Sequence, residues 1–151
     1  VYFPSAAPSG AEVSGTVPID GATPRRSGWN VLIVDDDPAV RRVAAAALSS
    51  EGYRVEQADC APAALARLED PQGGVDLVLL DLTMPDMDGA EVLATLARRG
   101  AAVPVIVMSG FQADVLPERT GYAHLRGFVA KPFRVAELRE AVRRGIAAEA
   151  P

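Results

Sequence analysis

Short apolar runs recur along the chain and are separated by segments of different character. Most are short and almost entirely apolar, although Asp76 interrupts one of them, and such runs are typical of strands buried on both faces of a parallel sheet. Arg54–Ala58 is more polar and predicts a weaker strand. The predicted strands are Val31–Val34, Arg54–Ala58, Val75–Asp81, Val105–Met108 and Phe128–Ala130.

The segments between these runs carry apolar residues at helical spacing. In the first segment they recur at i, i+3, i+4, i+7 and i+8, which predicts a helix that ends near Gly52 and turns this stripe inward. Asp37 is suited to cap this helix, and Pro38 to be its first residue. The stripe consists of Val40, Val43, Ala44, Ala47 and Leu48.

Similar stripes predict helices that begin near Ala61 and near Gly89, and a last helix after Pro132. Residues 111–126 contain Pro117 and Gly121 and predict only a short or irregular element. Counting that element, five strands alternate with five helices, a pattern typical of parallel sheets with right-handed crossovers.

The sequence therefore predicts an α/β fold: a doubly wound, five-stranded parallel sheet in the flavodoxin-like order 2-1-3-4-5, with helices on both faces. In the chain of 151 residues we expect one domain over residues 29–148. Residues 1–28 are rich in Pro, Ser, Gly and Ala and predict a linker. Residues 149–151 are a short tail.

Composition narrows the possible partners. A net charge of −5 disfavours nucleic-acid binding, which needs a basic surface. The sequence has no apolar run near the roughly 18 residues of a membrane span, so we expect no direct membrane contact. Cys60 is the only cysteine, which excludes an intrachain disulfide and fits a reducing cytoplasm.

Polar residues stand where four of the strands end, and parallel strands bring these ends to one edge of the sheet. They are Asp35 and Asp36, Asp81, Ser109 and Lys131, the only lysine of the chain. Three carboxylates this close repel one another unless a cation lies among them, and Mg²⁺ suits such oxygen ligands. A cation, an ammonium and a hydroxyl around Asp81 would stabilise a phosphoryl group, so Asp81 could form an acyl phosphate.

Four motifs follow one another in order: Val34–Asp36, Leu79–Gly89, Met108–Gly110 and Phe128–Phe133. With them, the region from Asn30 to about Ala147 resembles a receiver domain of two-component signalling. The resemblance implies a phospho-accepting domain that takes a phosphoryl group from a phosphohistidine-bearing kinase or phosphotransfer domain, uses Mg²⁺ and then changes conformation.

The resemblance also implies a role for each residue of the motifs. Asp81 would be the phosphoacceptor, with Asp35, Asp36 and the backbone carbonyl of Thr83 as further Mg²⁺ ligands. Ser109 would be the switch hydroxyl, Lys131 would hold the phosphoryl group, and Phe128 stands at the switch-aromatic position. We expect a cis Lys131–Pro132 bond, and we expect Thr83 and Phe111 to tune the acyl-phosphate lifetime, since each lies two residues beyond a site residue.

The opening residues Val1-Tyr2-Phe3-Pro4 resemble the last strand of a histidine-kinase ATP-binding domain. The segments D-L-T-M-P, S-G-F and G-F-V-A-K-P-F resemble those of receivers fused behind such kinases. We therefore expect this chain to be the C-terminal receiver of a hybrid sensor kinase, and we expect the receiver to lie in the cytoplasm. The chain itself holds no kinase centre and would catalyse only its own phosphorylation and dephosphorylation.

Two other functions use the same residues. Phosphatases of the haloacid-dehalogenase type also place an Asp nucleophile and Mg²⁺ after a strand, but they need a second Asp where this chain has Thr83. The other alternative is a phosphorylation-independent interaction domain, and the presence of every motif group argues against it.

Overall fold

The structure is a computed structural model that describes residues 28–70, 74–82, 89–110 and 122–149. Within these ranges it contains five strands and four helices. The strands are β1 (Asn30–Val34), β2 (Arg54–Ala58), β3 (Leu77–Asp81), β4 (Val105–Ser109) and β5 (Leu125–Ala130). The helices are α1 (Pro38–Ser49), α2 (Ala61–Glu69), α3 (Gly89–Arg98) and α4 (Val135–Glu149).

The strands form one parallel sheet in the order β2-β1-β3-β4-β5, which confirms the predicted topology. The register pairs Val34 with Leu80, and Asp81 with Met108. Ser109 pairs with Ala130. The carboxyl ends of β1, β3, β4 and β5 therefore lie side by side.

Two apolar clusters cover the two faces of the sheet, as the inward stripes of the helices predict. One lies under α2 and α3 and includes Leu32, Leu80 and Leu93, and the other lies under α1 and α4 and includes Ile33, Leu79 and Leu138. Every residue of β1, β3 and β4 is buried. A fully buried leucine contributes about 2 kcal/mol, so these strands provide a rigid base for the residues at their ends.

The start of α1 matches its prediction. The Asp37 carboxylate accepts a hydrogen bond from the Ala39 amide at 2.9 Å, and Pro38 is the first helical residue. The helix ends at Ser49, three residues before Gly52, because Gly52 has a φ of 97° and closes a turn that a helix cannot continue.

Val43 contradicts the predicted stripe, because its side chain is 47% exposed. The buried residues of α1 are Ala44, Ala47 and Leu48. Val43 precedes Ala44 by one residue, hence by about 100° around the helix, and that angle puts it at the edge of the buried face.

Two strand boundaries also differ from the predictions. β3 begins at Leu77, not Val75, because the Asp76 amide donates to the Asn30 carbonyl at 2.8 Å and the Asp76 carboxylate accepts from the Asn30 amide at 2.8 Å. β5 begins at Leu125, three residues before the predicted Phe128. Residues 111–121, which make up most of the predicted irregular element, lie outside the described ranges.

Among the helices that are described, none has the length and apolar character needed to cross a bilayer.

Candidate functional site

Asp81 is the last residue of β3, and its side chain is buried at 1% exposure. Asp35 follows β1 directly and is fully buried, and Ser109 ends β4 and is also fully buried. The Asp35 amide donates to the Ala58 carbonyl at 3.1 Å, so the end of β2 fixes its backbone. Three polar residues predicted to meet at this edge of the sheet are thus brought there by adjacent strands.

Lys131 completes this group from the end of β5. Its Nζ lies 2.8 Å from Asp35 Oδ2, to which it donates a hydrogen bond, and 3.4 Å from Asp81 Oδ1. Its backbone amide donates to the Ser109 carbonyl at 3.0 Å, and the Lys131–Pro132 bond is cis, as expected. One ammonium therefore bridges two buried carboxylates.

The surroundings of Lys131 determine its protonation. Partial burial lowers the pKa of its ammonium, but the hydrogen bond to Asp35 and the charges of Asp35 and Asp81 outweigh burial and raise the pKa above its usual value. Lys131 therefore stays protonated at neutral pH. It serves this site as a fixed positive charge, not as a base.

Three carboxylates converge beside Lys131. Asp35, Asp36 and Asp81 each offer an oxygen, and these oxygens all lie within 4.8 Å of one another. Asp35 and Asp81 are buried, whereas Asp36 is exposed, so this group faces solvent on one side. Oxygen donors from three carboxylates, with room for water, match what a hard dication such as Mg²⁺ needs.

Gly89 explains how α3 comes so close to Asp81. A Cβ at Gly89 would lie 2.7 Å from the Asp81 carbonyl oxygen and 2.7 Å from Leu82 Cα. The Gly89 amide donates to the Leu82 carbonyl at 3.0 Å, and the Leu82 amide donates to the Met108 carbonyl at 3.1 Å. Only a residue without a side chain fits this packing between α3 and the end of β3.

Of the remaining predicted site residues, Phe128 lies in the described part of the chain, and Thr83 and Phe111 do not. Phe128, in β5, is 43% exposed, whereas its neighbour Val129 is buried. Thr83 and Phe111 lie outside the described residues, so their predicted roles stay predictions.

A mostly apolar groove of about 500 Å³ opens beside Lys131. It runs between the first turns of α1 and the segment that follows β5. The exposed Val43 lies in its wall. The groove is lined by Asp37, Ala39, Val40, Val43, Lys131, Pro132 and Phe133.

Arg41, on α1, contacts the backbone of Asp35, and the sequence patterns did not indicate this contact. Its Nη1 donates to the Asp35 backbone carbonyl at 2.7 Å, and its Nε donates to Gln57 Oε1 at 3.3 Å. One signal was present in the sequence: a cation in the first turn of a helix is disfavoured by the helix dipole, so its position there suggests a specific contact.

Comparison with known proteins connects this site to a family. The family described as "Response regulator receiver domain" matches residues 31–143. Sensor kinase CckA of Brucella abortus (strain 2308) is 34% identical over 125 residues, which cover 83% of this chain and 13% of that protein. The KDP operon transcriptional regulatory protein KdpE of Escherichia coli (strain K12) is 40% identical over 126 residues, covering 81% of this chain and 55% of that protein. The chain thus spans less than two thirds of either relative.

Solved structures agree with these matches. The receiver domain of the hybrid histidine kinase CckA superposes with a TM-score of 0.64 at 31% identity, covering 78% of this chain and 98% of that one. A CheY-like receiver domain protein from Methanospirillum hungatei JF-1 superposes with a TM-score of 0.71 at 28% identity, covering 80% of this chain and 95% of that one.

Proposed function

This chain belongs to the response regulator receiver domain family, and from that premise we propose that Asp81 is the residue that accepts the phosphoryl group. Receiver domains act in two-component signalling with phosphodonor kinases or phosphotransfer proteins. The observation that carries the proposal is the buried Asp81 carboxylate, which lies 3.4 Å from the Lys131 ammonium and within reach of Asp35 and Asp36.

In the proposed reaction, an Asp81 carboxylate oxygen attacks the phosphorus of a phosphohistidine. An O–P bond forms as the P–N bond breaks, and the imidazole nitrogen keeps the electron pair and takes up a proton. Lys131 neutralises negative charge on the phosphoryl oxygens, because its raised pKa keeps it protonated. Burial of Asp81 lowers the local dielectric and so strengthens this interaction.

We assign Mg²⁺ to the carboxylates of Asp35, Asp36 and Asp81, with the Thr83 carbonyl as a further ligand. When bound, Mg²⁺ would supply positive charge to the transferring phosphoryl group. The convergence of three carboxylate oxygens supports this assignment. Asp37 is not assigned as a ligand, because the converging carboxylates are those of Asp35, Asp36 and Asp81, whereas the Asp37 carboxylate caps α1.

The switch is proposed to run through Ser109 and Phe128. A phosphoryl group on Asp81 offers oxygens that the Ser109 hydroxyl can bind, and this contact would favour one of two packings of Phe128. The 43% exposure of Phe128 supports a side chain with an inward alternative. Thr83 and Phe111 are proposed to border the path of the hydrolytic water and thus to set the phosphoryl lifetime.

The phosphodonor is proposed to dock on the groove beside Lys131. Its wall carries the exposed Val43 together with Val40 and Phe133, which suits the apolar face of a helix that bears the phosphohistidine. This position would bring the donor imidazole to Asp81 along the open side of the site.

We further propose that the chain is the C-terminal receiver of a hybrid sensor kinase and lies in the cytoplasm, with the domain at residues 29–148, a linker at 1–28 and a tail at 149–151. The 34% identity to a sensor kinase and the likeness to the receiver of a hybrid histidine kinase support this origin.

The proposal is tested by incubating the protein with acetyl phosphate and Mg²⁺ and measuring bound phosphate before and after hydroxylamine, which cleaves acyl phosphates. The wild type should incorporate hydroxylamine-labile phosphate. Asp81→Asn should incorporate none while keeping its circular dichroism spectrum, because the amide removes the nucleophile. Asp70→Asn, an exposed carboxylate at the end of α2, is the matched control and should behave as the wild type.

Two outcomes would contradict the assignment. Labelling of Asp81→Asn to the wild-type level would place the phosphoryl group on another residue. The absence of labelling in every protein, including the wild type, would favour the phosphorylation-independent interaction domain.

A further inference from the structure

Each polar group of Asp35 forms a hydrogen bond with a different residue: its amide, its carbonyl and both carboxylate oxygens. Its amide donates to Ala58, and its Oδ2 accepts from Lys131 at 2.8 Å. Its Oδ1 accepts from the Asp37 amide at 2.9 Å, and its carbonyl accepts from Arg41 at 2.7 Å. The carboxylate and the peptide group of Asp35 are thus fixed by separate partners.

The Arg41 contact acts directly on the peptide between Asp35 and Asp36. The carbonyl of Asp35 and the amide of Asp36 belong to the same planar group, so a bond to that carbonyl also orients the backbone of Asp36. Asp36 is exposed, and burial therefore does not fix its side chain. Its direction depends on the backbone of Asp36, which is held by the Arg41 contact together with the bond from the Asp37 amide to Asp35 Oδ1.

The surroundings of Arg41 indicate that it makes a specific contact and is not simply a solvated surface cation. It lies in the first turn of α1, where the helix dipole disfavours positive charge, and that turn contains no acidic residue. A planar guanidinium can donate to two acceptors at a fixed angle, and Arg41 uses it to join the Asp35 carbonyl to Gln57 of β2. The adjacent Arg42 is exposed.

We propose that Arg41 is a positioning residue for the acidic group, which holds the Asp35–Asp36 peptide so that both carboxylates are preorganised for a dication. This inference rests on the proposed Mg²⁺ site. Mg²⁺ demands near-ideal octahedral geometry, so a small rotation of this peptide should weaken binding, although Arg41 contacts the Asp35 carbonyl and not its carboxylate.

The sign of the effect distinguishes positioning from simple electrostatics. Removing a positive charge near a cation site should tighten Mg²⁺ binding if charge alone matters. Removing a positioning contact should weaken it, and loss of an outer partner of a metal ligand typically costs roughly tenfold in affinity or more.

The test is isothermal titration calorimetry of Mg²⁺ with the full chain at a temperature where all variants are folded, as judged by urea denaturation in EDTA. Arg41→Met keeps the aliphatic stem and should raise Kd roughly tenfold. Arg41→Lys can still donate to the Asp35 carbonyl and should recover part of the affinity. Arg42→Ala is the matched control and should not weaken binding. If Arg41→Met does not fold, Arg41→Gln is measured in its place, and it should also raise the Kd for Mg²⁺ roughly tenfold.

The outcomes distinguish failure of the proposed Mg²⁺ site from failure of the positioning role of Arg41. Absence of Mg²⁺ binding by the wild type, or unchanged affinity in Asp36→Asn, would contradict the proposed metal site. Wild-type binding that depends on Asp36, together with equal or tighter binding by Arg41→Met, would overturn the positioning role alone. Weakening by Arg42→Ala as large as that by Arg41→Met would also overturn it.

Discussion

At the scale of single residues, Lys131 shows how one cation organises the site. Its ammonium lies 2.8 Å from Asp35 Oδ2 and 3.4 Å from Asp81 Oδ1, so it offsets part of the repulsion between two buried carboxylates. Every other cationic side chain of the sequence is an arginine. A compact ammonium fits between two carboxylates at these distances, whereas a guanidinium is wider and planar.

We therefore expect Lys131→Arg to fold but to transmit phosphorylation poorly. The bulkier group should displace Asp81 or the phosphoryl group, and a misplacement of about 1 Å can reduce a rate roughly a hundredfold. The measurement is the phosphorylation rate with acetyl phosphate, together with the change in amide proton spectra on adding beryllofluoride. Arg134→Lys, at an exposed arginine, is the control for the exchange itself. Wild-type values in Lys131→Arg would show that any positive charge suffices.

The polar residues that the strand ends bring together could be predicted from the sequence. Asp35, Asp81, Ser109 and Lys131 were predictable because polar residues directly after buried parallel strands share one edge. Arg41 was missed because its role depends on a side chain reaching back to a backbone carbonyl, six residues earlier, and no periodicity encodes that contact.

At the scale of elements, the approach of α3 to the end of β3 depends on Gly89. The two Cβ contacts of 2.7 Å involve the backbone atoms of Asp81 and Leu82, which cannot move aside as a flexible side chain can. The start of this helix is thus coupled to the position of Asp81, the proposed phosphoacceptor.

Gly89→Ala should therefore destabilise the fold by about 1–3 kcal/mol, as overpacking typically does, and should also slow phosphorylation of Asp81. The free energy of unfolding in urea and the phosphorylation rate measure the two effects. Gly127→Ala in β5 is the matched control, because its Cβ would meet Ile106 no closer than 3.6 Å, and it should be neutral or slightly stabilising. Equal stability of the two variants would show that the close approach at Gly89 relaxes freely.

The existence of each strand and helix was easier to predict from the sequence than the residues at which each begins and ends. β5 begins earlier than expected because Leu125 and Gly127 pair with Val105 and Ile106 across a register shift, and such pairing depends on the neighbouring strand. Similarly, Val43 fitted the helical stripe of α1, but which edge of that stripe is covered depends on where the sheet and α4 lie.

At the scale of the whole molecule, the alternation of strands and helices predicts a parallel sheet, and the structure confirms the expected order β2-β1-β3-β4-β5. α1 and α4 pack on the same face, and Arg139 of α4 joins them by donating to the Ala47 carbonyl at 3.2 Å and to Ser50 Oγ at 2.7 Å. The result is a rigid frame that presents one polar edge. Asp81, the proposed phosphoacceptor, lies on that edge together with Asp35, Asp36 and Lys131.

The most direct test of this account is to locate the phosphoryl group after transfer from a phosphohistidine donor. The protein is incubated with a phosphorylated histidine phosphotransfer domain and Mg²⁺, the acyl phosphate is reduced with borohydride, and the modified residue is identified by peptide mass spectrometry. The account predicts the borohydride-reduced residue at Asp81, and no reduced residue in a sample treated first with hydroxylamine, which removes the phosphoryl group before reduction. Modification at Asp35, at Asp36 or at a residue away from this edge of the sheet would contradict it.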